Sequence, residues 1–232
     1  MGDMTLKSRG VFVTGTDTGI GKTFASCALL HAFRAAGERA MGMKPVASGC
    51  RATGHGLRSD DAEALIAASD PQPEYALCNP VALAEPIAPH IAARLAGVEI
   101  TLPPLMSAYA RLATQADRIV VEGVGGWSVP FSETSMQADL VRAVELPVIL
   151  VVGLRLGCIN HALLSARAIV DDGCVLAGWI ANRIDPAMAM ADENLATLRA
   201  RIDRPLLGVI DYSPDADPAR LATALTVANL QC

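Results

Sequence analysis

The stretch 15-GTDTGIGKT-23 directly follows 11-VFVT-14 and comes close to a phosphate-binding loop. That motif reads G-x-x-x-x-G-K-[ST], with four residues between its glycines. Counting back from Lys22 puts Thr16 where the first glycine belongs, and Gly15 one place early. The anchoring end is intact. A glycine turn between a strand and a helix aims backbone N–H groups at an anion, and the helix terminus adds roughly half a positive charge. Gly15, Gly19 and Gly21 permit the tight path, and the backbone around Gly19, Ile20 and Gly21 is the candidate nucleotide cradle. Lys22 can reach the β- and γ-phosphates, and Thr23 can hold Mg²⁺ through its hydroxyl. The bland alternative is a glycine turn with a surface lysine. A strong strand before the loop and a strong helix after it favour the phosphate reading. Dinucleotide binding is disfavoured because G-x-G-x-x-G is absent here.

Outward from the loop, short apolar runs alternate with helical stretches. VFVTGT (11–16), AMGMKPV (40–46), IVVEG (119–123), LPVILVVG (146–153), GCVLAGWIAN (173–182) and PLLGVI (205–210) read as strands. The segment 22–37 reads as a helix stopped by Gly37, and another helix follows 157-GCINHA-162. Such alternation implies βαβ units and a single-domain, P-loop NTPase-like α/β fold, with a mostly parallel sheet flanked by helices. Residues 48–61 read as a polar, glycine-bearing loop. Residues 70–114 read as helices and loops inserted at the sheet edge, and 1–10 as a short tail. The pattern does not give the strand order.

Composition narrows the function classes. Of 232 residues, 52% are apolar and 19% charged, and the mean hydropathy of +0.35 suits a doubly covered sheet or a buried subunit interface. No apolar run is long enough to predict a membrane span. A net charge of −5 with scattered Arg and Lys argues against nucleic acid, but leaves room for a phosphate-rich small ligand. The six cysteines form no C-x-x-C pair, so they are expected to be free thiols in a reducing cytoplasm.

Further candidates lie at strand ends, where open parallel sheets bind ligands. Glu122 closes IVVE and can hold Mg²⁺, or it is a surface strand cap. Asp60 and Asp61 offer a second carboxylate, or are plain helix caps. Mg²⁺ takes oxygen ligands, often one or two carboxylates with phosphate and water, and Thr23, Asp61 and Glu122 meet that need. Lys44 ends the second strand and can neutralise an anionic acceptor, with Ser48 as a hydrogen-bond donor; a snorkelling lysine is the rival reading. The helix start Gly157, Cys158, Ile159, Asn160 can hold a carboxylate on its free N–H groups, or Asn160 is only a cap. Asn182 can read a base edge such as adenine, or simply make a turn. His31 falls inside the first helix as a structural residue. No serine or cysteine nucleophile has a partnered base.

With these residues assembled, the sequence resembles the dethiobiotin synthetases, ATP-dependent enzymes of biotin synthesis. The resemblance rests on 12-FVTGTDTGIGKTFASCALL-30, 44-KPVASG-49, 56-GLRSDDA-62, 84-AEPIAPHI-91, 121-VEGVGGW-127, 146-LPVILVVGLRLGCINHALL-164 and 178-GWIAN-182. The odd loop spacing belongs to that family, so the misfit is a variant loop. The resemblance implies a cytoplasmic homodimer acting on ATP with Mg²⁺, CO₂ (as bicarbonate) and 7,8-diaminopelargonic acid. It implies that Lys22 contacts phosphate and carbamate, and that Thr23, Asp61 and Glu122 serve the metal. Lys44, Ser48 and Thr18 would handle the diamine and its carbamate. Gly157 to Asn160 would hold the substrate carboxylate across the dimer, and Asn182 would read adenine. Two positions depart from the family pattern: Gly19, often acidic in relatives, and Val124, commonly alanine. From 211-DYSPDADP-218 onward the match fades. The rivals are a related P-loop ligase or kinase on another small acid, and a nucleotide-driven switch that binds a partner protein.

Overall fold

The structure is a computed structural model, and it describes residues 10–227. Six strands form one parallel sheet: β1 (Gly10–Gly15), β2 (Ala40–Met43), β7 (Arg118–Glu122), β8 (Val148–Gly153), β9 (Leu176–Asn182) and β10 (Leu206–Ile210), in the order β10-β9-β8-β1-β7-β2. Between β2 and β7 lie four short strands: β3 (Val46–Ala47), β4 (Arg51–Thr53), β5 (Gly56–Arg58) and β6 (Val81–Ala82). The helices are α1 (Lys22–Ala35), α2 (Asp60–Ala68), α3 (Tyr75–Cys78), α4 (Pro89–Ala96), α5 (Leu102–Ala113), α6 (Gln137–Ala143), α7 (Cys158–Asp171), α8 (Ala191–Arg201) and α9 (Pro218–Leu221). The expected tail, 1–10, lies outside the described residues except for Gly10, which begins β1.

Both faces of the sheet are buried, which is why its strands read as continuous apolar runs. Alternate side chains go to opposite layers: Val11 and Val13 pack with Ala28 and Leu29 of α1, whereas Phe12 packs with Leu112 of α5 and Val141 of α6. Val148, Leu150 and Val152 likewise face α7 and α8, while Ile149 and Val151 face α1. A smaller core of Val46, Leu83, Ala92, Leu105 and Phe131 lies beneath the segment between β2 and β7. No helix among the described residues is long and apolar enough to cross a membrane.

Two readings of the chain are corrected. The second strand does not run through to Val46. It leaves the sheet after Met43, because Pro45 has no N–H to continue a ladder, and β3 pairs instead with β6. The segment 70–114, read as helices and loops with no strand comparable to those of the sheet, also holds β6, of two residues. Residues 48–61 are not all loop: β4 and β5 form a hairpin around Gly54 and His55, and Asp60 starts α2. A two-residue, glycine-bearing connection was the signal for that hairpin.

In the sheet order, β1 stands between β7 and β8, and the next strand in sequence, β2, lies beyond β7. The chain thus winds away from β1 in both directions. This opens a crevice at the carboxyl ends of β1, β7 and β8.

Candidate active site

The 15–23 loop crosses that crevice. Gly15, one place early by the motif, leaves room for its neighbours: a Cβ there would lie 2.7 Å from Ile20 Cδ1 and 3.1 Å from Lys22 Cδ, so both side chains would have to shift. Gly21 has φ +84°, and a Cβ on it would fall 2.1 Å from Asn182 Nδ2. Gly19 also has positive φ, +71°, but faces open space, so a side chain there would meet backbone strain and not crowding. Asn182 ends β9 and donates from Nδ2 to the Ile20 carbonyl at 2.8 Å, tying the loop to the sheet.

Four side chains meet below the loop. Thr23, at the start of α1, has its Oγ1 2.8 Å from Asp61 Oδ1 and 2.9 Å from Glu122 Oε1. Lys44 donates from Nζ to Glu122 Oε1 at 2.6 Å and to the Gly123 carbonyl at 3.2 Å, and it pairs with Asp61 Oδ2 at 2.7 Å. Lys44 is 2% exposed and Glu122 0%, so neither the snorkelling lysine nor the surface strand cap describes them. Burial disfavours the Lys44 ammonium, but Glu122 and Asp61 outweigh it and raise its pKa. Burial alone would likewise raise the pKa of Asp61, yet Lys44 and the hydrogen bonds hold it below the usual carboxylate value. Asp61 is not a helix cap. Ser59 caps α2 by accepting from the Ala62 N–H, and Asp61 sits in the first turn, aimed at the crevice. Asp60 points away, to Arg51.

Lys22 donates to the Asp17 carbonyl at 2.9 Å. Burial, and then the charge of Lys44, lower its pKa to about 8. Thr18, Gly19, Ser48 and Val124 join these residues around a cavity of about 810 Å³, also lined by Pro86, Ile87 and Pro89. Those last residues come from 84-AEPIAPHI-91. Gly157, Cys158, Ile159 and Asn160 do not line this cavity. They form the start of α7, where Gly157 and Asn160 are exposed and Cys158 is buried.

The oxygens here suit magnesium. Two carboxylates and a hydroxyl converge, all hard donors, and Glu122 Oε2 is buried with no hydrogen-bond partner. Thr23, Asp61 and Glu122 are the residues that can hold such an ion.

Sequence reasoning missed two supports of the site. Gln137, 1% exposed, accepts from the Val124 N–H at 2.8 Å and donates to the Gly126 carbonyl at 2.8 Å, bracing the turn after Glu122. Nothing in its spacing marks it. Asp17, inside the loop, is ion-paired with Arg155 between β8 and α7.

The family model described as an AAA domain matches residues 9–220. The "ATP-dependent dethiobiotin synthetase BioD" of Xanthomonas axonopodis pv. citri is 59% identical over 214 residues, covering 92% of this chain and 96% of that protein. The protein of the same name from Xylella fastidiosa strain Temecula1 is 59% identical over 215 residues, with coverage of 92% and 95%. Among solved structures, a ParA family ATPase from Chlorobium tepidum superposes with a TM-score of 0.55 at 14% identity, covering 95% of this chain and 92% of that one. The MinD cell division protein of Aquifex aeolicus gives 0.52 at 14% identity, covering 88% and 83%. At that identity the two structures speak for the P-loop NTPase-like fold alone, whereas the sequence relatives span nearly the whole chain. The chain belongs to the ATP-dependent dethiobiotin synthetase family.

Proposed function

We propose that the protein is an ATP- and Mg²⁺-dependent cyclo-ligase that converts 7,8-diaminopelargonic acid and CO₂ to dethiobiotin, releasing ADP and phosphate. The observation that carries this is the meeting of the buried Lys44 and Glu122 with Asp61 and Thr23 beside Lys22. It puts two cations and a metal-type oxygen set at one phosphate loop, with no protein nucleophile among them. Positioning and charge neutralisation are what such a reaction needs.

In the proposed course, one amine of the diamine captures CO₂ as a carbamate. A carbamate oxygen attacks the γ-phosphorus of ATP, ADP leaves, and a carbamic-phosphoric anhydride forms. The second amine attacks the carbonyl carbon, the C–O bond to phosphate breaks, and the cyclic urea is left. Lys22 holds the γ-phosphate and the carbamate. Lys44, fixed by Glu122 and Asp61, faces the developing anion with Ser48 and Thr18 beside it. Magnesium on Thr23, Asp61 and Glu122 would neutralise phosphate charge. Asn182 spends one N–H on the loop, and its remaining amide edge is the adenine reader in this reading.

The diamine carboxylate is assigned to Gly157, Cys158, Ile159 and Asn160 of a second copy. Two features support a homodimer built on α7: these residues lie outside their own chain's cavity, and Leu156 and Leu164 beside them are exposed. Such a homodimer is taken to be cytoplasmic. The chain is taken to work as one α/β domain.

The test is phosphate release with and without the diamine and bicarbonate. The reaction requires both, and its product is the diamine plus one carbonyl group less two hydrogens. Release that ignores both compounds would point to a nucleotide switch and sink this reading.

A further inference from the structure

The phosphate loop is held at both ends by one edge of the sheet. At its start, Arg155 Nη2 pairs with Asp17 Oδ2, across 138 residues of sequence. At its end, Asn182 Nδ2 bonds the Ile20 carbonyl. The two holds are joined, since the Leu154 N–H donates to the Asn182 carbonyl at 2.7 Å. The second hold is neutral. The first concerns a charge.

Asp17 is an awkward residue for a triphosphate site. Its Oδ1 accepts from the Thr18 N–H at 2.7 Å, one of the loop's own backbone donors. Its carbonyl accepts from Lys22, the amine that anchors phosphate in the proposed function, and its carboxylate is among the charges felt at that amine. A carboxylate here repels the ligand that the loop is built to attract. Lys22 cannot cancel it and still serve phosphate. The cation beside the carboxylate is Arg155, and both side chains are a little over 40% exposed, at 43% and 42%.

We propose that Arg155 is a positioning residue for the nucleotide: it neutralises Asp17 and turns that carboxylate away from the phosphate site, so that Asp17 can brace Thr18 and Lys22 without repelling ATP. This rests on the reading of the 15–23 loop as a triphosphate site. The role is electrostatic, which separates it from a purely structural brace. A brace is lost when either partner is removed, so both single variants and the double variant would be equally weak. A neutralising cation is needed only while the carboxylate is present.

The experiment is a double-mutant cycle on magnesium-dependent binding of a fluorescent ATP analogue, without diamine, using Arg155→Ala, Asp17→Asn and the double variant. Circular dichroism confirms that each is folded, and Arg155→Lys, which keeps the charge, guards against a packing effect. Arg155→Ala is expected to bind about fivefold more weakly at low salt, with the deficit shrinking at about 0.5 M salt. Asp17→Asn should bind at least as well as the unaltered protein, the double variant should return to within about twofold of it, and Arg155→Lys should bind like the unaltered protein. Unchanged binding by Arg155→Ala would overturn the proposal, as would an Asp17→Asn variant as weak as Arg155→Ala, the mark of a structural brace. No nucleotide binding by the unaltered protein would overturn it together with the proposed function. Because the cycle is read without diamine, a failure of the cyclisation chemistry alone does not change its outcome.

Discussion

Lys44 Nζ lies 2.6 Å from Glu122 Oε1, with both side chains sealed from solvent and 78 residues apart in sequence. A buried pair of this kind gains little over an apolar substitute, but removing one partner leaves the other charged and unpaired. Lys44→Ala should therefore lose both turnover and about 3 kcal/mol of stability. Lys44→Met combined with Glu122→Gln should recover stability without recovering turnover. Urea unfolding and phosphate release measure the two losses separately. A Lys44→Ala protein of unaltered stability would mean that the pair adds nothing to the fold.

Lys22 presents the opposite case. Among the described residues its amine bonds only a backbone carbonyl, and burial already works against its charge. Lys22→Ala should stay within about 1 kcal/mol of the parent's stability. Its turnover should nevertheless fall by about a hundredfold, the usual cost of removing one preorganised electrostatic donor. Near-normal kcat would take Lys22 out of the mechanism.

Asp61→Asn keeps the shape of the site and removes one metal-type charge, leaving the Thr23 contact available. The magnesium concentration for half-maximal phosphate release should rise about tenfold. An unchanged titration would make Asp61 a structural partner of Lys44 and nothing more.

Cys27 and Cys78 are buried beside the site, and burial pushes both thiols from 9.0 up to about 12. They stay neutral in the folded chain while the unfolded chain ionises near 9.0, so stability is lost as pH rises from there towards 12. The urea midpoint should be lower at about pH 10.5 than at about pH 8, and replacing both cysteines with alanine should flatten that fall. An equally steep fall in the double variant would place its origin elsewhere.

On α7, Leu164 is 54% exposed, whereas Leu163 packs partly into the core, so Leu164 is the cleaner probe of a dimer. Leu164→Arg should shift sedimentation towards the monomer and raise KM for the diamine more than KM for ATP. A folded monomer with unchanged KM for the diamine would exclude a shared site.

The sequence by itself determined the layers and the loop. Six strands were legible because a sheet covered on both faces needs unbroken apolar runs, and each run ends in glycine, proline or a polar residue at a crevice. Gly21, Lys22 and Thr23 were legible because their chemistry depends on neighbours a few residues away. Only the tertiary structure decided the strand order and the departure of the chain from the sheet at Pro45. It also decided that Gln137 and Arg155 support the site. These depend on contacts between residues far apart in the chain, such as Lys44 with Glu122 or Asp17 with Arg155. Local periodicity carries no record of such pairings, because they form only when separate strands end at the same edge of the sheet.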